Sequence, residues 1–121
     1  MMKDAAVANY HGGMNCVQCI LKAAEECRSL KIDKQLIEVC GILNNGFGMG
    51  LFCGALLAGF IVFELSAGEN AAKRMRLRLL SDFHDKYKCF NCAELTCKSC
   101  RGGCDRLIYD TAEMIDSILF N

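Results

Sequence analysis

The chain has 121 residues, 53% of them hydrophobic, and its fourteen acidic residues balance fourteen basic ones. That length holds one domain with a conventional core, and zero net charge excludes a long-range field that would recruit nucleic acid or an anionic membrane surface. Ten cysteines in so short a chain, and no proline, make sulfur chemistry the dominant compositional signal.

The N-terminus, Met1 to Cys16, carries no apolar run of secretory type, which predicts a cytoplasmic protein. Thiols stay reduced there, and paired cysteines serve metals or redox chemistry more often than structural disulfides. Residues 1–14 read as a mobile segment. The first helix is predicted over Asn15 to Leu30, with Val17, Ile20, Leu21, Ala24 and Cys27 on one face. Asp33 then caps a helix carrying Leu36, Ile37, Cys40 and Leu43, which Gly46 is placed to end in the left-handed conformation.

Residues Val39 to Phe63 contain no charge, which raises the question of a membrane span. Gly41, Gly46, Gly48 and Gly50, with Asn44 and Asn45, break the run, and the helical remainder from Leu51 to Leu65 falls short of the roughly 20 residues that a bilayer requires. Glu64 and the lack of basic flanks argue the same way. The stretch Cys53 to Ala67, stopped by Gly68, therefore reads as a central buried helix in which Gly54, Ala55, Ala58 and Gly59 admit close neighbours. From Asn70 onward, Met75, Leu79, Phe83 and Tyr87 repeat at four residues, and Lys73, Arg74, Arg76 and Arg78 form a solvated face with no interleaved aromatics for nucleic acid. A last helix after Gly103 buries Leu107, Ile108, Ala112, Ile115, Ile118 and Leu119. The predicted fold is all-α: a single small domain, residues 1–121, of about five helices around a central apolar glycine- and alanine-rich helix.

Five cysteines crowd into Cys89, Cys92, Cys97, Cys100 and Cys104. Two tandem CxxC pairs suit tetrahedral zinc, and Cys92-x4-Cys97-x2-Cys100 has the spacing of plant-type ferredoxins, so the pattern leaves zinc and an iron-sulfur cluster both open. Cys16 and Cys19 form a third CxxC at a helix start, where unpaired N–H groups favour a thiolate, and Cys53 repeats that placement after the loop Gly46-Phe47-Gly48-Met49-Gly50. Cys16 and Cys53 are the candidate nucleophiles. Backbone N–H groups at Gly48, Gly50 and Gly54 are the candidates for contacting a sulfur or a bound cluster. Cys27 and Cys40 read as core packing, and neither His11 nor His84 reads as a ligand or base.

These motifs resemble the family of redox-active proteins named for the signature Cys, Gly-Cys-Ala-x-x-Gly, Cys, Cys. The matching residues are Asn15-Cys16-Val17-Gln18, then Gly46-Phe47-Gly48-Met49-Gly50, then Cys53-Gly54-Ala55-Leu56-Leu57, then Cys92-Ala93-Glu94-Leu95, then Cys104. The chain departs from the pattern at Ala58, where the family closes its motif with glycine, and in its extra cysteines Cys19, Cys89, Cys97 and Cys100. The resemblance implies a helical redox protein whose signature thiols Cys16, Cys53, Cys92 and Cys104 converge. It names no substrate.

The reading is thus an electron-transfer protein holding an iron-sulfur cluster on those four cysteines, assisted by some of Cys19, Cys89, Cys97 and Cys100, and served by a redox partner protein. Homodimer formation is left open. The competing readings are a thiol-disulfide oxidoreductase using the same cysteines and a structural zinc site. No hydrolase or transferase constellation is present.

Overall fold

A computed structural model describes residues 1–98 and 103–120 of the chain. Its best-defined helix start is at Asn15, whose side chain accepts hydrogen bonds from the backbone amides of Val17 (3.1 Å) and Gln18 (3.0 Å) while the Gln18 side chain accepts from the Asn15 amide (3.4 Å). This reciprocal box satisfies donors that every helix start leaves open. From it, α2 runs over Cys16–Arg28 and buries Val17, Cys19, Ile20, Leu21, Ala23 and Ala24.

Ahead of it lies α1 (Met2–His11). The predicted mobile segment is therefore a helix for most of its length. Met2 and Ala6 are fully buried, the helix packs on α2 and on α7 (Asp105–Phe120), and Lys3 pairs with Glu113 at 2.6 Å and His11 with Asp105. With only two fully buried apolar positions, this helix has little periodic signal in the sequence, and its ion-pair partners Glu113 and Asp105 lie far along the chain in α7. Tertiary burial supplies what local pattern does not.

Asp33 caps α3 (Lys34–Cys40), accepting from the Gln35 amide at 2.7 Å. The helix stops at Cys40 rather than near Gly46: Gly41–Leu43 tightens into a single 3₁₀ turn, and Asn45, Gly46, Phe47 and Gly48 follow with φ of 56°, 55°, 62° and 74°. A run of left-handed residues reverses the chain and delivers it to α4 (Gly54–Ala67), capped by Cys53. Gly68, at φ 78°, separates α4 from α5 (Glu69–Tyr87). The short α6 (Cys92–Lys98) follows.

Among the described residues there are thus seven helices, where the sequence pattern predicts five. The two additions are α1 and α6, the latter inside the polar cysteine run. The all-helical prediction holds, but the single central helix is replaced by a shared core. Helix α4 packs against α2, α5 and α7, while α2 is itself surrounded by α1, α3, α4 and α7. On α4 the buried positions Gly54, Ala55, Leu56, Ala58, Gly59, Val62 and Phe63 run around the helix. A side-chain carbon at Gly59 would meet Leu79 Cδ2 at 2.8 Å and Ile115 Cδ1 at 2.9 Å. The departure at Ala58 is absorbed because Ala58 is itself fully buried and the next residue is glycine. No described helix is long and apolar enough to cross a membrane. Arg76 pairs with Glu64 and Arg78 with Asp82, as expected of a solvated basic face.

Helices α5 and α7 are joined by Asp110. This carboxylate, 2% exposed, accepts from the Tyr87 hydroxyl at 2.7 Å and pairs with Lys86 at 3.1 Å and Arg106 at 3.2 Å. A buried charge persists only when partnered in this way. Between α4 and α6 the connection is backbone: Phe52 and Asn91 form an isolated antiparallel bridge, flanked by bonds from Cys53 N to Phe90 O (2.8 Å) and from Cys92 N to Leu51 O (2.6 Å). Phe52 stacks on Phe90 with ring centroids 5.7 Å apart.

Two glycines of the reversal make unequal demands. Both Gly46 and Gly48 hold positive φ, but an added methyl at Gly46 would fall inside the backbone of Leu51, whereas one at Gly48 meets nothing within 4 Å. Gly48→Ala should therefore cost only the left-handed penalty, about 1 kcal/mol. Gly46→Ala adds a backbone clash that side-chain rotation cannot relieve. Thermal unfolding of the two variants should show at least twice the loss for Gly46→Ala; equal losses would mean the loop closes differently.

A candidate thiol site at four helix starts

Each signature cysteine sits at the beginning of a different helix. Cys16 is the first residue of α2 and Cys92 the first of α6. Cys53 and Cys104 immediately precede α4 and α7, their carbonyls accepting from Leu57 N (3.2 Å) and Ile108 N (2.8 Å). The fold brings these starts together by the contacts already described. The bridge at Phe52 and Asn91 holds the segments carrying Cys53 and Cys92 side by side, with Cys53 bonded to Phe90 and Cys92 to Leu51. Packing of α2 on α4 brings Cys16 against Gly54, where a side-chain carbon would meet Cys16 Sγ at 3.0 Å, Val17 Cγ2 at 2.8 Å and the Leu43 carbonyl at 3.0 Å. Gly54 is thus a spacer that lets a sulfur lie against a helix backbone.

Cys16, Cys92 and Cys104 line one cleft of about 400 Å³ together with Tyr10, Asn15, Asn44, Asn45 and Thr96. Cys53 lies behind it, 5% exposed, close enough that Cys16 and Cys92 act on its ionisation. The Cys16 thiol donates to Asn44 Oδ1 at 3.1 Å and the Cys92 thiol to Asn45 Oδ1 at 3.0 Å. The Tyr10 hydroxyl accepts the Cys104 backbone N–H at 3.3 Å.

The expectation that their helix starts make Cys16 and Cys53 easy to ionise is overturned. Burial pushes Cys16 from 9.0 up to about 11, and Cys104 and Cys92 push it further the same way, against the backbone amide of Asn45. Cys53 rises to about 12, again through burial, although the amides of Leu56 and Ala55 favour its thiolate. Cys19, fully buried in the first turn of α2, rises to about 12 through burial and the neighbouring Cys16. Backbone amides are present at the sulfurs as predicted, but desolvation of the charged form outweighs them.

The glycine predictions divide. Gly54 adjoins Cys16, and Gly50, at φ 73°, is held against α6, since an added carbon would meet Ala93 Cβ at 2.9 Å. Gly48 faces open space. The loop's side-chain acceptors, Asn44 and Asn45, contact the thiols directly, although in the sequence pattern they mark only a break in the helix. Tyr10 precedes every motif, so no sequence signal marks it.

Of the extra cysteines, Cys19 directs its thiol to the Cys16 carbonyl at 3.4 Å, and Cys89 donates to the Tyr87 carbonyl at 3.6 Å, away from the cleft lining. The Cys97 side chain and Cys100 lie outside the described residues, and with them the tandem-CxxC zinc arrangement. Cys40 is buried and Cys27 half-buried against the core. No disulfide joins the cysteines whose side chains are described. Among the described residues no three Cys, His, Asp or Glu side chains are grouped closely enough to share a metal ion as they stand. His11 pairs with Asp105, and His84 packs on Phe90.

No curated protein and no solved structure matches the chain. A family profile described as "Putative redox-active protein (C_GCAxxG_C_C)" matches residues 14–118, a span that includes all four helix-start cysteines. With most of its length matched and the signature thiols gathered around one cleft, the chain belongs to the C_GCAxxG_C_C family of redox-active proteins.

Proposed function

We propose that this protein transfers electrons through an iron-sulfur cluster held by Cys16, Cys53, Cys92 and Cys104 and exchanged with a redox partner protein. The observation that carries this reading is the placing of four cysteines from distant chain segments at four helix starts around one cleft, with burial holding the Cys16 and Cys53 thiols protonated. Without a cation, those two resist ionising. These cysteines would hold an iron centre as thiolates, and the metal would supply the positive charge that burial withholds from them. The helix-start amides near Cys16 and Cys53 then oppose the net negative charge of a thiolate-bound cluster.

Loading requires local adjustment. Cys16 and Cys92 would exchange their hydrogen bonds to Asn44 and Asn45 for the metal. The bound group would supply one-electron chemistry, and the residues that would hold it are Cys53, which is buried, and Cys16, Cys92 and Cys104, which line the cleft. The same raised thiols weigh against rapid thiol-disulfide turnover at neutral pH, since the attacking species is the thiolate.

Anaerobic purification followed by iron, acid-labile sulfide and zinc analysis tests the reading. Wild-type protein should carry iron with sulfide, and Cys53→Ser should lose most of both, while Cys27→Ser retains them. Zinc without iron, no metal, or equal loss from both substitutions would refute it.

The raised thiols also make a claim about stability. In the unfolded chain the thiols ionise near 9.0, but in the folded chain Cys16, Cys19 and Cys53 hold their protons to about 11 or 12. The folded metal-free state therefore binds more protons above pH 9, and its stability falls as pH rises from there toward 12. Urea midpoints of the metal-free protein should be flat from pH 7 to 8.5 and fall at pH 10 and above. Cys19→Ala should show a shallower fall.

A further inference from the structure

Cys19 lies outside the four-cysteine signature, yet it occupies the same helical turn as Cys16. We infer that Cys16 and Cys19 form a reversible disulfide, a redox-active dithiol of this chain that switches off Cys16 as a site ligand. The placement rests on two features. The spacing i, i+3 in the first turn of α2 puts both side chains on one side of the helix, and the Cys19 thiol already points back along that turn to the Cys16 carbonyl at 3.4 Å. Accessibility is asymmetric. Cys16 lines the cleft, whereas Cys19 has no exposed surface, so an external oxidant meets Cys16 first and Cys19 can act only on what forms there.

The chemistry balances with a disulfide-bonded molecule as oxidant. The Cys16 thiolate attacks one sulfur of that molecule, a mixed disulfide forms, and one thiol leaves carrying the proton that Cys16 released. Cys19 then attacks Cys16 Sγ, its own proton passing to the second departing thiol. Two electrons move to the oxidant, which becomes two thiols, and one intramolecular disulfide remains.

Formation of the pair does not depend on the iron-sulfur reading; only its consequence for the site does. In the oxidised form the Cys16 sulfur is bonded to Cys19 and is withdrawn from Asn44 and from any bound group.

The test uses the full metal-free chain, incubated with oxidised glutathione, alkylated with iodoacetamide and digested with trypsin. Residues 4–22 contain no internal cleavage site before Lys22 and hold Cys16 and Cys19 as their only cysteines. The expected product is that peptide, unalkylated and lighter by two hydrogen atoms. Cys19→Ser should instead retain glutathione on Cys16. Two alkylated thiols in the wild-type peptide while other cysteines have oxidised, or Cys16 cross-linked to a peptide bearing Cys53, Cys92 or Cys104, would overturn the assignment. The wild-type result stands whether or not the variant folds. Iron reconstitution of the oxidised protein separates the two proposals. A Cys16–Cys19 disulfide with undiminished iron uptake would sink the gating role alone, and absence of iron uptake in the reduced protein would sink the cluster reading alone.

Discussion

The site depends on one short backbone pairing. Leu51, Phe52 and Cys53 run antiparallel to Phe90, Asn91 and Cys92, with two hydrogen bonds and one bridge, and the stacked rings of Phe52 and Phe90 lie beside them. This clamp sets the register of the segment entering α6 against the segment entering α4. Because the bonded amides belong to Cys53 and Cys92 themselves, a shift of one residue would move a sulfur and also expose a buried donor. The pairing is too short to be a sheet, and it gains its stability from the aromatic cluster of Phe52, Phe60, Phe83 and Phe90 that covers it.

Around that clamp the fold repeats one device. Four helices begin at the site, each with a cysteine at its first position or immediately before it. The device has a cost. Bringing four starts together excludes water, and excluded water removes the solvation on which a thiolate depends. The amides that face Cys16 and Cys53 offset part of that loss and leave the thiols well above their ordinary range. The opposing terms have similar causes, but burial acts on the whole sulfur while each amide contributes one partial charge, so burial prevails.

The asparagine pair shows how polar groups settle in such a place. Asn44 precedes the left-handed reversal and Asn45 opens it, and their side-chain oxygens accept hydrogen bonds from the Cys16 and Cys92 thiols. Tyr10 plays a parallel part for the backbone of Cys104, so α1, which lies ahead of the region shared with the family, completes the cleft wall. The same helix is fastened to α7 by Lys3 with Glu113 and His11 with Asp105. The His11 pairing sits one residue from Cys104, which ties the helix that supplies Tyr10 to the segment that Tyr10 contacts.

Local sequence determined the helical class, the cap at Asp33, the stop at Gly68 and the burial of α4. Each follows from interactions spanning a few residues: capping, periodicity and the conformational freedom of glycine. The motif Asn15-Cys16-Val17-Gln18 shows itself as a capping box only in the structure. Only the tertiary structure decided that α1 is a helix, that α6 forms within a polar cysteine run, that Tyr10 and two asparagines line the cleft and that Cys16, Cys19 and Cys53 ionise with difficulty. These depend on burial by residues distant in the chain, and desolvation is a property of the enclosed volume rather than of any residue that encloses it.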